Sequence, residues 1–140
     1  MRENFDRAFL LVIGAEGKPT NDPDDPGGFT IWGLAKHYHP EIDANTPIDY
    51  AKQVYRKEYW DAIGADDLPS PLDIAAFDFA VTSAPGDAIA LLKVTRHWEE
   101  FMIRRIKHYS EVVRKKPKMA KYFRGWVNRV INLWLEIQPH

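Results

Sequence analysis

Apolar residues recur at helical spacing from the start of the chain. Phe5, Phe9 and Val12 step by four and then three residues, and Glu16 continues the same face one turn later. Asn4 is a good cap for this helix, and Gly17, Lys18 and Pro19 end it. The stripe is apolar except for its last member, a carboxylate. Asn21 to Gly28 is dense in Asp, Pro and Gly and reads as a loop, and Phe29 to Leu34 as a short strand or extended turn. Thr46-Pro47-Ile48-Asp49 combines a cap, a first-turn proline and an early acid. It predicts a helix to about Trp60 that buries Ile48, Ala51, Val54 and Tyr55. After Pro69 and Pro71 a third helix is expected from about Leu72 to Val81, with Leu72, Ala75, Ala76 and Phe79 inward. Pro85-Gly86 interrupts the pattern. Ala88 to about Arg114 reads as one long helix or two abutting ones, and Pro117 ends it. A last helix runs from about Met119 to Leu135. The fold class is therefore mainly α: a helical bundle with at most a small β element.

Composition narrows the chemistry. The chain has 140 residues, enough for one domain with one core. It has no cysteine, which excludes a disulfide, a thiolate nucleophile and a Cys-ligated zinc site. The net charge of -1 is uninformative, but the halves differ. Residues 1–80 hold 15 of 20 acids and 7 of 19 Lys and Arg, so the molecule can carry two faces of opposite sign. The apolar run Ala8 to Ile13 is far short of the roughly 20 residues a spanning helix needs. The acids Glu3 and Asp6 before it are unlike a signal peptide. A cytoplasmic product without its own export signal is the expectation.

Glu16 is the first candidate for chemistry. Burial disfavours a charged carboxylate, and a carboxylic acid still protonated near neutrality can donate its proton to a glycosidic oxygen. A helix-end Glu in a structural ion pair is the plainer reading. The following loop, Asn21-Asp22-Pro23-Asp24-Asp25-Pro26-Gly27-Gly28, changes the balance by adding three carboxylates within ten residues. Glycoside hydrolysis needs a protonated acid and a second group that activates water or stabilises an oxocarbenium-like transition state. The same loop aligns with a calcium-binding EF-hand through Asp22, Asp24 and Gly27, but Pro26 and Gly33 stand where two ligands are required. His37 and His39 have the alternation of a metal pair, yet no third ligand stands at a familiar spacing. No metal or other cofactor is expected.

Glu16-Gly17, Asn21-Asp22-Pro23, Asp25-Pro26-Gly27-Gly28, Thr30 and Gly33 together resemble the signature of glycoside hydrolase family 108. That family comprises phage endolysins and related bacterial N-acetylmuramidases, some labelled secretion activators. The resemblance continues through Tyr55, Tyr59-Trp60-Asp61, Leu68-Pro69 and Phe77-Asp78. It resumes at Arg104-Arg105, Tyr109 and Phe123-Arg124-Gly125-Trp126. The first motif fixes about ten positions in eighteen. Its E-x8-D-x4-T spacing is close to the E-x8-D-x5-T triad of phage-type lysozymes in family 24.

The resemblance implies a lysozyme-like bundle and one catalytic domain over residues 1–140. Its N-terminal part would be muramidase-like, its C-terminal part shortened, basic and helical. The substrate would be the peptidoglycan glycan strand, cut at the β-1,4 bond between N-acetylmuramic acid and N-acetylglucosamine. By motif position, Glu16 is the general acid, Asp25 activates water or stabilises positive charge, and Thr30 holds the water. An inverting course is preferred, because a loop carboxylate leaves room for that water. The chain departs from the family pattern at Lys18, where a second glycine is usual, and at Thr82 in Val81-Thr82-Ser83, where the family often has Asn. It is also shorter between Leu92 and Trp98 than many members, which carry a peptidoglycan-binding segment there.

Asn21, Trp32, Tyr59, Trp60, Asp78 and Thr82 are the candidate substrate-binding residues. Each competes with a structural role: the aromatics as core, Asp78 as a cap. From Arg104 to Arg129 stand ten Lys or Arg and one acid, Glu111. They form either a solvated helix face or an attraction to an anionic wall polymer or outer-membrane surface. Nucleic acid is a further polyanion such a stripe could follow, but no nucleic-acid motif accompanies it, so none is expected as a partner. A non-catalytic wall-binding or regulatory module and a lytic transglycosylase are the rivals to a hydrolase. The endolysin reading adds a holin-type permeabilising partner, a monomeric enzyme, and action in the periplasm.

Overall fold

The computed structural model describes residues 1–13, the backbone of 20–21, and 28–139. The described residues form six α-helices and a small sheet: α1 (Phe5–Ile13), α2 (Ile48–Tyr55), α3 (Leu72–Thr82), α4 (Pro85–Val94), α5 (Trp98–Lys115) and α6 (Ala120–Ile137). The strands β1 (Thr20–Asn21), β2 (Phe29–Ile31) and β3 (Leu34–Ala35) pair antiparallel in the order β1-β2-β3. This is the mainly α bundle with a small β element that the patterning predicts, and it agrees with the lysozyme-like fold that the resemblance implies. No helix among the described residues is long and apolar enough to cross a membrane.

Helix α3 is the axis of the core. Every residue from Leu72 to Ala80 is buried, including Asp73 and Asp78. A single inward face was expected; instead the helix is covered on all sides, because α1, α4 and α5 all pack around it. Such a helix has no solvent face to pattern, so a 3.6-residue rhythm cannot mark one. The remaining helices are more ordinary. Pro85 occupies the first turn of α4, where its missing N–H costs nothing. The stretch between Ala88 and Arg114 is two helices, separated at Thr95–His97.

Two local expectations change. Thr46 does not cap α2 with its side chain: its hydroxyl accepts from the Asp43 N–H at 2.8 Å, and Pro47 occupies the cap position. Beyond Tyr55 the helix widens into a single π turn, Arg56–Trp60. There Trp60 points into the core, fully buried, with edge contacts to Phe5 and Phe77. Its indole N–H donates to Asp66 at 2.8 Å. Trp60 therefore has no exposed ring face to stack on a sugar, and its place among the candidate binding residues is corrected. Of the residues expected inside α2, Ala51 and Tyr55 are buried, while Ile48 and Val54 are half-buried against the same core.

Candidate active site

The sheet positions the described part of the proposed catalytic motif. β1 and β2 pair Thr20 with Thr30 and Asn21 with Phe29, so both ends of the Asp-Pro-Gly loop are held by one ladder. Glu16, Asp25 and the side chain of Asn21 lie outside the described residues, as do the calcium candidates Asp22 and Asp24. Thr30 sits in the middle strand, paired on its other edge with Ala35.

The β2–β3 turn has an unusual residue. Trp32 (φ 54) and Gly33 (φ 78) both lie in the left-handed region, the φ pattern of a two-residue type I′ hairpin turn. Gly33 is required twice over: any Cβ there would stand 2.3 Å from the Tyr55 hydroxyl. Trp32 has no such freedom, and a bulky residue at positive φ is a genuine outlier. Two hydrogen bonds hold it there. Its indole N–H donates to the Thr46 carbonyl at 2.8 Å, and its own carbonyl accepts from the Tyr55 hydroxyl at 3.1 Å. The indole is thus fixed, half-buried, at the tip of the sheet. Strain of this kind is retained where the surroundings over-determine it.

On the other side of this turn a cavity of about 380 Å³ is bounded by Gly33–Ala35, Tyr38, His39, Tyr55, Glu58 and Tyr59. Tyr59 is half-buried there. Burial first, and then the neighbouring Glu58 charge, push its phenol pKa up, so it remains a hydrogen-bond donor. Tyr38, which the sequence reading passed over, is 77% exposed at the rim, and only its exposure marks it. The two tyrosines give this cavity the aromatic surface a sugar ring stacks on. His39 stands 3.4 Å from Glu41 and 3.7 Å from Glu58, and His37 belongs to a turn and not a strand. Among the described residues no three metal-ligating side chains gather.

Asp78 and Thr82 have other duties. Asp78 is 1% exposed, and both its oxygens are engaged by guanidinium groups. Arg105 Nη2 lies 2.6 Å from Oδ2, and Arg129 grips Oδ1 through Nη2 at 2.9 Å and Nε at 3.1 Å. The Thr82 hydroxyl donates to the Asp78 carbonyl at 2.8 Å and accepts from Arg105 at 3.0 Å. Neither side chain is presented to a ligand as expected; together they secure two arginines. Arg105 is fully buried, with Nε on the Tyr109 hydroxyl at 3.0 Å and its guanidinium over the Phe79 ring. Its Nη1 finds no partner among the described residues. Arg129 also donates to the Val12 carbonyl at 3.3 Å, in the last turn of α1. The sequence offered Arg105 as one base in a stripe and as part of the family resemblance, and Arg129 as the end of the stripe.

That stripe divides in two. Arg104 pairs with Glu100, Arg114 with Glu111, and Arg105 and Arg129 with Asp78. Lys115, Lys116, Lys118 and Lys121 remain exposed around the corner between α5 and α6.

Comparison with known proteins bears on the whole arrangement. The family model described as Glycosyl hydrolase 108 matches residues 9–83, which hold the second half of α1, the sheet, α2 and α3. The chain is also similar to a solved structure described as "Structure of Brucella abortus SagA". The TM-score is 0.75 at 22% sequence identity, and the match covers 100% of this chain and 98% of that one. At that identity the likeness shows the fold. No curated protein gives a match. With its motif matched from α1 through α3 and its fold shared along the full length, the chain belongs to glycosyl hydrolase family 108, a family of glycoside hydrolases.

Proposed function

We propose that this chain is a single-domain muramidase that hydrolyses the β-1,4 bond between N-acetylmuramic acid and N-acetylglucosamine in peptidoglycan, and that it serves as a phage endolysin. The observation that carries this reading is the β1–β2 ladder in a chain of this family. It pairs Thr20 with Thr30 and Asn21 with Phe29, and these positions flank Asp25 in the motif. Trp32 at the tip of the sheet and the tyrosine-lined cavity beside it supply aromatic surface for sugar rings.

In this mechanism Glu16 gives its proton to the glycosidic oxygen as the bond to the anomeric carbon breaks. A water on the opposite face attacks that carbon, and Asp25 takes the proton the water loses. Thr30 helps hold that water. No cofactor takes part. Sugar contacts come from Trp32, Tyr59 and Asn21. The enzyme is made in the host cytoplasm, reaches the periplasm through a holin-type permeabilising partner, and acts as a monomer. Lys115, Lys116, Lys118 and Lys121 draw it to anionic surfaces.

The test is clearing of outer-membrane-stripped Gram-negative cell walls by wild type and Glu16→Gln. The substitution keeps size and removes the titratable proton. Loss of at least a hundredfold in a variant that stays folded by circular dichroism supports the acid role, since general acid–base catalysis contributes about 10²–10⁴. Binding without clearing by the wild type would make the chain a wall-binding module. Anhydro sugars among the products would make it a transglycosylase.

A further inference from the structure

Helices α1 and α6 run side by side without packing closely. They are tied at two points: Arg7 Nη2 donates to the Glu136 carbonyl at 2.7 Å, and Arg129 to the Val12 carbonyl at 3.3 Å. Between the ties lies a groove of about 350 Å³, within the range of small-ligand sites. Leu11 and Leu133 line it, and Asp78 is at its floor. One wall is a stripe of α6 in which Asn128, Asn132 and Glu136 fall one helical turn apart. Among the described residues the side chains of these three make no hydrogen bond or ion pair, and none of the described lining residues is aromatic. Gly125 heads the stripe, and a Cβ added there would meet nothing within 4 Å. The Gly125 and Arg129 end of the groove adjoins the last turn of α1, from which the chain continues to Glu16. The Glu136 end adjoins the start of α1.

We infer that this groove is a subsite for the stem peptide of peptidoglycan. The inference rests on the muramidase reading for its choice of ligand. A groove without rings offers no platform for a sugar. Two carboxamides one turn apart each supply a donor and an acceptor, the complement of successive peptide bonds. Glu136 supplies an anion at the far end. From Asn128 to Glu136 the helix rises about 12 Å, the reach of three to four extended residues. Stem peptides hang from the muramic acid and carry a diamino acid in third place. A stem attached near the catalytic end of α1 and laid along α6 brings that residue's side-chain ammonium to Glu136. The enzyme then selects glycan that still bears peptide with a free amine.

The experiment is titration of N-acetylmuramyl tripeptide, with diaminopimelate as its third residue, into the full chain by NMR and calorimetry. Glu136→Gln should weaken binding about three- to fivefold, the scale of an exposed ion pair. Acetylating the ligand's side-chain amine should weaken wild-type binding by the same factor and leave Glu136→Gln unaffected. Gly125→Phe, which fills the head of the groove, should weaken it at least tenfold while the helical circular dichroism is kept. Absence of tripeptide binding, or an equal penalty from acetylation in wild type and Glu136→Gln, overturns the proposal. Wild-type cleavage of intact, peptide-bearing cell walls is measured alongside: its success with no tripeptide binding refutes the groove alone, and its failure refutes the muramidase reading separately.

Discussion

Helix α3 carries two buried aspartates, and its two ends deal with them differently. At the first, Asp73 is fully buried and accepts from the chain's amino terminus at 2.5 Å, from Asn4 at 2.9 Å and from the Ile74 N–H at 2.8 Å. Charge and anion are matched one to one, and the result holds the start of the chain onto the core. At the other end Asp78 is shared by two guanidinium groups, those of Arg105 on α5 and Arg129 on α6. That end also reaches the last turn of α1 through Arg129 and floors the groove beside α6. The first carboxylate fixes one chain segment to the core, whereas the second joins three helices at a single buried point.

Breaking the Asp78 end should have the largest effect. Arg105→Met leaves a buried carboxylate with half its neutralisation, and a loss of about 3–5 kcal/mol is expected from urea unfolding. Asp73→Asn keeps shape and most hydrogen bonds at the other end, and about 1–3 kcal/mol is expected there. The two ends share no partner, so the double variant should lose the sum of the two to within about 0.5 kcal/mol. A larger discrepancy would show that α3 couples its ends and would erase the contrast.

The smallest effect tests a third carboxylate, outside α3. The Trp60 indole N–H, with Arg56 and Arg2 assisting, holds the Asp66 carboxyl below its ordinary range against a weaker opposing effect of burial. Its folded pKa is depressed, so its stabilisation is present above the unfolded value of about 3.9 and is lost as pH falls through the folded one. The Tm difference between wild type and Asp66→Asn should shrink as pH drops below about 4. A constant difference down to strongly acidic pH would exclude the linkage.

What could be read from the chain follows the range of the interactions. Helix α6 was legible because half of it faces water, and Pro117 and the run of lysines before it mark its start. The inward set of α3 was legible only in part, since a helix buried on every side hides its own period. The Trp32–Gly33 turn lacks the Asn-Gly signal of its type, and its support comes from Thr46 and Tyr55, 14 and 23 residues away. Asp78 as a cap was one of two readings held open, but its partners stand 27 and 51 residues along the chain, beyond any local pattern. Trp60 belongs to a π turn, which shifts the side chain away from the face that simple helical counting gives it. The motif from Glu16 to Gly33, by contrast, is a local signal confined to eighteen residues, and the resemblance to the family rests first on it.

The two ties between α1 and α6 have a consequence for how the molecule is made. They join positions 117 and 129 residues apart, so the first helix to leave the ribosome cannot complete its contacts until the last one has emerged. Contacts of such separation are slow to form and close late in folding. The last turn of α1 is therefore secured only after synthesis of α6, and a nascent chain lacks both ties for most of its time on the ribosome.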